Sequence, residues 1–174
     1  MIGTAHPVIF ILGGARSGKS SHAQSLAETT GRERCYIATA QAFDDEMRDR
    51  IAAHQADRGD GWSTREAPLD LADAISSAGT SCDVILVDCL TLWLSNLMHH
   101  ERSIEGETDG LVAALMACPV PVIVVSNEVG QSIVPENPLA RAFRDAQGRL
   151  NQEIATAADI VELVTAGLPL RLKG

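Results

Sequence analysis

Eight residues near the start of the chain constrain it most. Gly13-Gly14-Ala15-Arg16-Ser17-Gly18-Lys19-Ser20 match the phosphate-binding pattern G-x-x-x-x-G-K-[ST] at every fixed position. Val8 to Leu12, just before them, form a short apolar run that reads as a buried strand. Lys19 to Thr29, just after, read as a helix. Strand, glycine-rich loop and helix together are the context that gives the pattern its meaning. The glycines let backbone N–H groups turn toward phosphate oxygens, and the helix N-terminus adds its positive end. In this reading Lys19 reaches the outer phosphates and the Ser20 hydroxyl helps to hold Mg²⁺. The loop says nucleoside triphosphate; by itself it does not say what is done with it.

The rest of the chain is consistent with one α/β domain. It has 174 residues, 45% of them hydrophobic, enough for a sizeable core. Apolar runs alternate with helical patterns. Arg34 to Thr39 reads as a second strand. Phe43 to Arg58 reads as a helix with Met47, Ile51 and His54 on one face, and Trp62 to Ala67 as a short extended piece. Pro68 to Ala78 reads as a helix, Asp83 to Asp88 as a buried strand ending in an acid, and Leu90 to His100 as a helix. Glu101 to Asp109 reads as a polar surface connection and Leu111 to Ala117 as a helix. Pro121 to Ser126 is another buried strand. Asn127 to Pro138 reads as a long loop of the kind that carries function. Leu139 to Ala158 reads as a long helix with Gly148 as its weak point, Asp159 to Val164 as a strand, and Ala166 to Gly174 as a further edge strand. Strands alternating with helices predict a mostly parallel sheet with helices on both faces. With the phosphate loop after the first strand, this is a P-loop NTPase fold of the RecA-like kind. Ligands of such sheets bind outside the C-terminal strand ends. The loop, Thr39, Asp88 and Ser126-Asn127-Glu128 all fall there.

Charge and cysteines narrow the function classes. The net charge is −9, from 14 Lys and Arg against 23 Asp and Glu, with no basic run. Nucleic-acid binding is therefore not expected, and an anionic substrate must be drawn by a local site. Cys35, Cys82, Cys89 and Cys118 form no C-x-x-C pair and no zinc-ligand spacing, so they read as free thiols of a cytoplasmic protein. Met1 to Pro7 do not read as a signal peptide, and no apolar run approaches membrane-spanning length.

Two residues outside the loop stand out. Asp88 ends an apolar strand, where P-loop proteins place the acid that holds Mg²⁺; a helix cap is the alternative. His54 shares the inward face of its helix. On spacing alone it reads as a core or helix-end histidine, although a neutral imidazole can also attack phosphorus and form a phosphoramidate. His22 reads as helix surface, and Arg141 and Arg144 as solvated helix faces. Glu66 reads as a surface acid.

Three blocks carry a family resemblance. They are GGARSGKS, IATAQ and DDEMRDRI with the following His54; VDCLTLWLSNL at Val87 to Leu97; and VSNEVGQSIVPENPLARAFRDAQGRLNQEIA at Val125 to Ala155. The chain resembles the bifunctional adenosylcobinamide kinase / adenosylcobinamide-phosphate guanylyltransferases of cobalamin biosynthesis, from about Val8 to its C-terminus. The resemblance implies two reactions. ATP or GTP phosphorylates the aminopropanol hydroxyl of adenosylcobinamide. GTP then gives GMP to an enzyme histidine, and adenosylcobinamide phosphate takes it to form adenosylcobinamide-GDP. The family's guanylylated histidine falls on His54. Its guanine-nucleotide contacts fall on Gly13, Gly14, Ala15, Arg16, Ser17, Gly18, Lys19 and Ser20. They continue on Ala38, Thr39, Ala40, Gln55, Ala56, Asp57, Arg58, Glu66 and Asp88. Lys19 joins His54 as catalytic, and Ser20 and Asp88 would hold the metal. Some members carry Glu where this chain has Asp88. The resemblance also implies a homo-oligomer, a trimer in known members, and the corrinoid is expected near Asn127 to Arg144. Two rivals are a single-activity small-molecule kinase with a structural His54, and a nucleotide-dependent switch.

Overall fold

The computed structural model describes residues 6–40 and 59–174. Its elements are β1 (Val8–Gly13), α1 (Lys19–Thr30), β2 (Arg34–Ala38), β3 (Trp62–Glu66), α2 (Leu71–Ala78), β4 (Val84–Asp88), α3 (Leu90–His99), α4 (Ile104–Ala117), β5 (Val122–Asn127), α5 (Pro138–Ala157), β6 (Ile160–Thr165) and β7 (Leu168–Lys173). The helix expected over Phe43 to Arg58 lies outside the described residues.

The strands form one seven-stranded sheet in the order β3-β2-β4-β5-β1-β6-β7. Every pairing is parallel except the last, β6 with β7. β1 is therefore central, with β5 on one side and β6 on the other. All six of its residues are buried, which is why it reads as an unbroken apolar run. Its side chains still alternate between two cores. Val8, Phe10 and Leu12 pack with Trp93, Leu97, Leu111, Leu150 and Ile154. Ile9 and Ile11 pack with Ala23 and Ala27 of α1. The helices α2 to α5 thus cover one face and α1 the other, as the pattern predicted.

Local chemistry moves three boundaries. α2 begins at Leu71 rather than Pro68, with Asp70 as its N-cap. Part of the connection expected over Glu101 to Asp109 is helix. Ser103 caps α4 by accepting the Gly106 N–H, and Glu105 and Glu107 sit favourably in its first turn. Asn137 caps α5 by accepting from the N–H groups of Leu139 and Ala140, and Pro138 takes the first helical position. Gly148 does not interrupt α5.

The expected edge strand is present as β7. Thr165 pairs with Leu168 across the two residues Ala166 and Gly167. Both have positive φ, 52° and 78°, as a two-residue type I′ hairpin turn requires. A charge cluster ties this hairpin to α1. Glu162 on β6 accepts from Arg171 Nε at 2.9 Å and lies 2.6 Å from His22 Nε2. His22 is thus not plain helix surface, as its position alone suggested; its partner lies 140 residues away. Burial would raise the Glu162 carboxyl, but the hydrogen bonds from His22 and Arg171 outweigh burial and hold it below its ordinary 4.5. A depressed carboxylate stabilises the fold above its unfolded value and loses that contribution as pH falls through the folded one. The stability advantage of wild type over Glu162→Gln should therefore shrink as denaturant titrations move from about pH 6 to about pH 3. A difference independent of pH across that range would contradict the assignment.

Candidate active site

The parallel strands all end on one edge, and the chemistry-bearing residues gather there. β1 runs into the phosphate loop at Gly13. Glycine is required at that point because a Cβ would lie 2.3 Å from Ser17 Oγ and 2.8 Å from the Val164 carbonyl oxygen. Gly18 is required by its φ of +92°. Inside the loop the Ser17 N–H donates to the Gly14 carbonyl at 3.3 Å, and the His22 N–H reaches back to Gly18 O at 3.0 Å, starting α1. Lys19 Nζ donates to Gly14 O at 3.1 Å, so its ammonium is folded over the mouth of the loop. A cavity of about 490 Å³ opens beside the loop, lined by Gly14 and Ala15 with Asn127 at the end of β5 and Glu128, Gln131 and Ser132 from the β5–α5 connection.

Asp88 ends β4, two strands from β1. Tyr36 Oη donates to its Oδ2 at 3.3 Å. Burial pushes the neighbouring Cys89 thiol up to about 11, with the Asp88 carboxylate adding to the rise and the Lys19 ammonium opposing it. Thr39 sets where Asp88 goes. Its hydroxyl donates to Cys89 O at 2.7 Å and accepts the Cys89 N–H at 2.9 Å. Its carbonyl accepts from Asn96 Nδ2 at 2.8 Å, and its N–H donates to Asp88 O at 3.4 Å. Thr39, expected as a nucleotide contact, thus has its hydroxyl, carbonyl and N–H all engaged inside the protein. It acts as a clasp between the ends of β2 and β4.

Ala38 pairs with Glu66 on one side and with Asp88 on the other, so the three form one row across the sheet. β3 lies four strand spacings from β1, roughly 19 Å at the usual separation. The phosphate loop and Glu66 are therefore far apart along the edge, with Asp88 between them and β6 and β7 continuing beyond the loop. Ala40 lies two residues beyond Ala38 of that row. His54, Gln55, Ala56, Asp57 and Arg58 lie outside the described residues. Among the described residues no cluster of three or more His, Cys, Asp or Glu could hold a metal alone. Asp88 offers a carboxylate at the end of β4 and Ser20 a hydroxyl at the start of α1, donor types that Mg²⁺ accepts alongside phosphates and waters.

Sequence reading missed several parts. Tyr36, Asn96 and Thr91, whose Oγ1 accepts the Asn127 N–H at 2.9 Å, hold the site without resembling it. A buried polar group behind it, Ser126 with Gln147 and Asn151, joins β5 to α5, with Asn151 Nδ2 donating to the Asn127 carbonyl at 3.1 Å. Arg141, read as solvated, donates instead to the carbonyls of Pro135 and Glu136 and closes the end of the loop onto α5. The paired positions of Arg141 and its loop carry no sequence signal, and the turn at Ala166-Gly167, which the edge-strand reading took in as strand, emerges only from the pairing of β6 with β7.

Residues 9–172 match the family described as cobinamide kinase / cobinamide phosphate guanyltransferase. The chain belongs to that family. It is 47% identical over 166 residues to the bifunctional adenosylcobalamin biosynthesis protein CobP of Pseudomonas aeruginosa, covering 94% of this chain and 96% of that one. It is 42% identical over 181 residues to the corresponding CobU of Salmonella typhimurium, covering 95% and 99%. Kinase and guanylyltransferase activity in cobalamin biosynthesis follow from the family. Solved structures agree on the fold alone. The flagellar accessory protein FlaH of Methanocaldococcus jannaschii superposes with a TM-score of 0.57 at 18% identity, over 98% of this chain and 81% of that one. A KaiC-like protein of Pyrococcus horikoshii gives 0.53 at 13%, over 90% and 70%. Both fit a P-loop NTPase sheet.

The clasp can be tested directly. Thr39→Val keeps the volume but leaves the Cys89 N–H and C=O buried without their partner, and should lower stability by about 1–3 kcal/mol in chemical denaturation. It should also reduce phosphoryl transfer, because Asp88 loses its anchor. Unchanged stability and rate would remove Thr39 from the site's framework.

Proposed function

We propose that both reactions run along the C-terminal edge of the sheet and share one phosphate loop. The observation that carries this is the placement of the loop, Lys19 and Asp88 on that edge in a chain whose family match spans residues 9–172. In the kinase step ATP or GTP lies with its outer phosphates in the loop. The aminopropanol hydroxyl of adenosylcobinamide attacks the γ-phosphorus, and the nucleoside diphosphate leaves. Inward N–H groups and Lys19 stabilise the charge that develops on the transferring group. When bound between Ser20 and Asp88, Mg²⁺ would neutralise phosphate oxygens.

In the second reaction the same grip holds the leaving pyrophosphate of GTP. A ring nitrogen of His54 attacks the α-phosphorus, the α–β phosphoanhydride bond breaks, and a histidine–GMP phosphoramidate remains. A phosphate oxygen of adenosylcobinamide phosphate then attacks that phosphorus, the N–P bond breaks, and adenosylcobinamide-GDP forms. The covalent step divides one transfer into two. Gln55 to Arg58, Ala38 to Ala40, Glu66 and Asp88 are assigned to the guanine nucleotide. The roughly 19 Å between loop and Glu66 suits a ligand lying along the edge rather than down into it. The corrinoid is assigned to the Asn127 to Arg144 side, where Ile133, Val134 and Leu139 are exposed apolar residues. A homotrimer and a cytoplasmic setting complete the reading. Among the described residues no helix is long and apolar enough to cross a membrane.

Two labels separate the two chemistries. Incubation with Mg²⁺ and GTP labelled at the α-phosphate should leave acid-labile, base-stable label on wild type and none on His54→Ala. His54→Ala should retain transfer from γ-labelled nucleotide to adenosylcobinamide. Lys19→Ala should lower both activities by about 10²-fold or more. Label retained by His54→Ala would assign the nucleophile elsewhere.

A further inference from the structure

The β6–β7 hairpin touches the phosphate loop directly. The Gly167 N–H donates to the Ser17 carbonyl at 2.8 Å. A Cβ placed on Gly18 would lie 3.0 Å from Gly167 Cα, so the two backbones are in contact. The direction of that hydrogen bond matters. The Ser17–Gly18 peptide is trans, so its C=O and N–H point opposite ways. Holding the Ser17 carbonyl outward on the hairpin aims the Gly18 N–H into the concave side of the loop, where phosphate oxygens bind. The loop has little support of its own for this. Its internal Ser17 N–H to Gly14 O bond is long at 3.3 Å, and the buried Ser17 hydroxyl has no hydrogen-bond partner.

A second tie keeps the hairpin in place. Arg171 on β7 donates to Glu162 on β6, through Nε at 2.9 Å and with a second nitrogen at 2.8 Å. Glu162 in turn meets His22, which lies in the first turn of the helix that the loop begins. Hairpin and loop are thus joined on both sides of Gly18, by main chain at Ser17 and by side chains at His22.

We propose that the β6–β7 hairpin is a brace that sets the nucleotide-binding conformation of the phosphate loop, with Gly167 and Arg171 as positioning residues for the nucleoside triphosphate. This rests on the reading of the loop as the triphosphate site. The brace acts on the N–H groups that meet the outer phosphates, so it distinguishes GTP from GMP.

The test uses the full chain with Mg²⁺, titrated with GTP and with GMP in a calorimeter, alongside amide exchange without nucleotide. Gly167→Val strains the turn at φ +78° and pulls its N–H from Ser17. Arg171→Ala cuts the side-chain tie, Arg171→Lys keeps the charge, and Ala166→Gly at φ 52° relieves the turn and serves as the control. Gly167→Val and Arg171→Ala should raise the GTP Kd by about five- to tenfold, as expected for one lost hydrogen bond. GMP affinity should change less than about twofold. Exchange should rise at residues 14–18 but not in β4 or β5. Arg171→Lys should recover part of the loss, and Ala166→Gly should match wild type. GTP affinity within about twofold of wild type in both disrupting variants, with unchanged loop exchange, overturns the brace. Weakened GTP binding together with exchange rising across β4 and β5 overturns it as well, because that is a general loss of structure. Failure of wild type to bind GTP counts against the functional reading, and the exchange measurement still decides the brace.

Discussion

A phosphate loop works only if backbone N–H groups that would repel one another are held pointing at a common centre. Their dipoles are alike in direction, and each would do better apart or against a carbonyl. The rest of this structure can be read as the framework that holds them there. β1 is clamped between β5 and β6. Gly13 lets the chain pass within reach of Val164, where a larger residue would collide. α1 is drawn close to the sheet because the residues it buries are Ala23 and Ala27. Large side chains there would lift the helix, and with it the positive end that meets the phosphates.

The acid side of the edge is built on a different plan. Asp88 is not fixed by its own side chain alone but by the main chain around it. Thr39 clasps Cys89, and Asn96 holds Thr39. Each of these polar groups is buried, and each is satisfied by a neighbour from another element. In a low-dielectric setting such a network is stiff, because breaking any one bond leaves a buried donor or acceptor unmatched. The four cysteines are free thiols. Burial raises Cys82 and Cys89 to about 11 and lifts Cys35 and Cys118 as well, which keeps them protonated and poorly nucleophilic.

The legible parts of the fold were those with a strong local cause. β1, β4 and β5 are unbroken apolar runs, and the phosphate loop is spelled out residue by residue. Their positions followed from pattern alone. Short, half-polar Trp62 to Glu66 was readable as extended, but its place at the sheet edge beside β2 depends on a parallel partner far away in sequence. The start of α4 was hidden because its cap, Ser103, precedes a polar segment that looks like loop. Thr39 was legible as a residue at a strand end, yet its clasp on Cys89 was not, since spacing cannot show which way a hydroxyl is satisfied. His22 was misread for the same reason. Its partner Glu162 is the inward acid of an otherwise apolar strand, and only the sheet order brings the two together.

The strand that carries the loop comes first in the chain, but its two neighbours in the sheet come late. Val8 pairs with Val122, and its N–H is held by Asp159, 151 residues on. During synthesis the loop's own residues leave the ribosome early and wait. Neither edge of β1 can be closed until β5 and then β6 have emerged. Contacts of such long sequence separation form slowly and late. A partly made chain therefore displays the full phosphate-loop motif without the sheet around it, and nucleotide competence arrives only as the last strands dock.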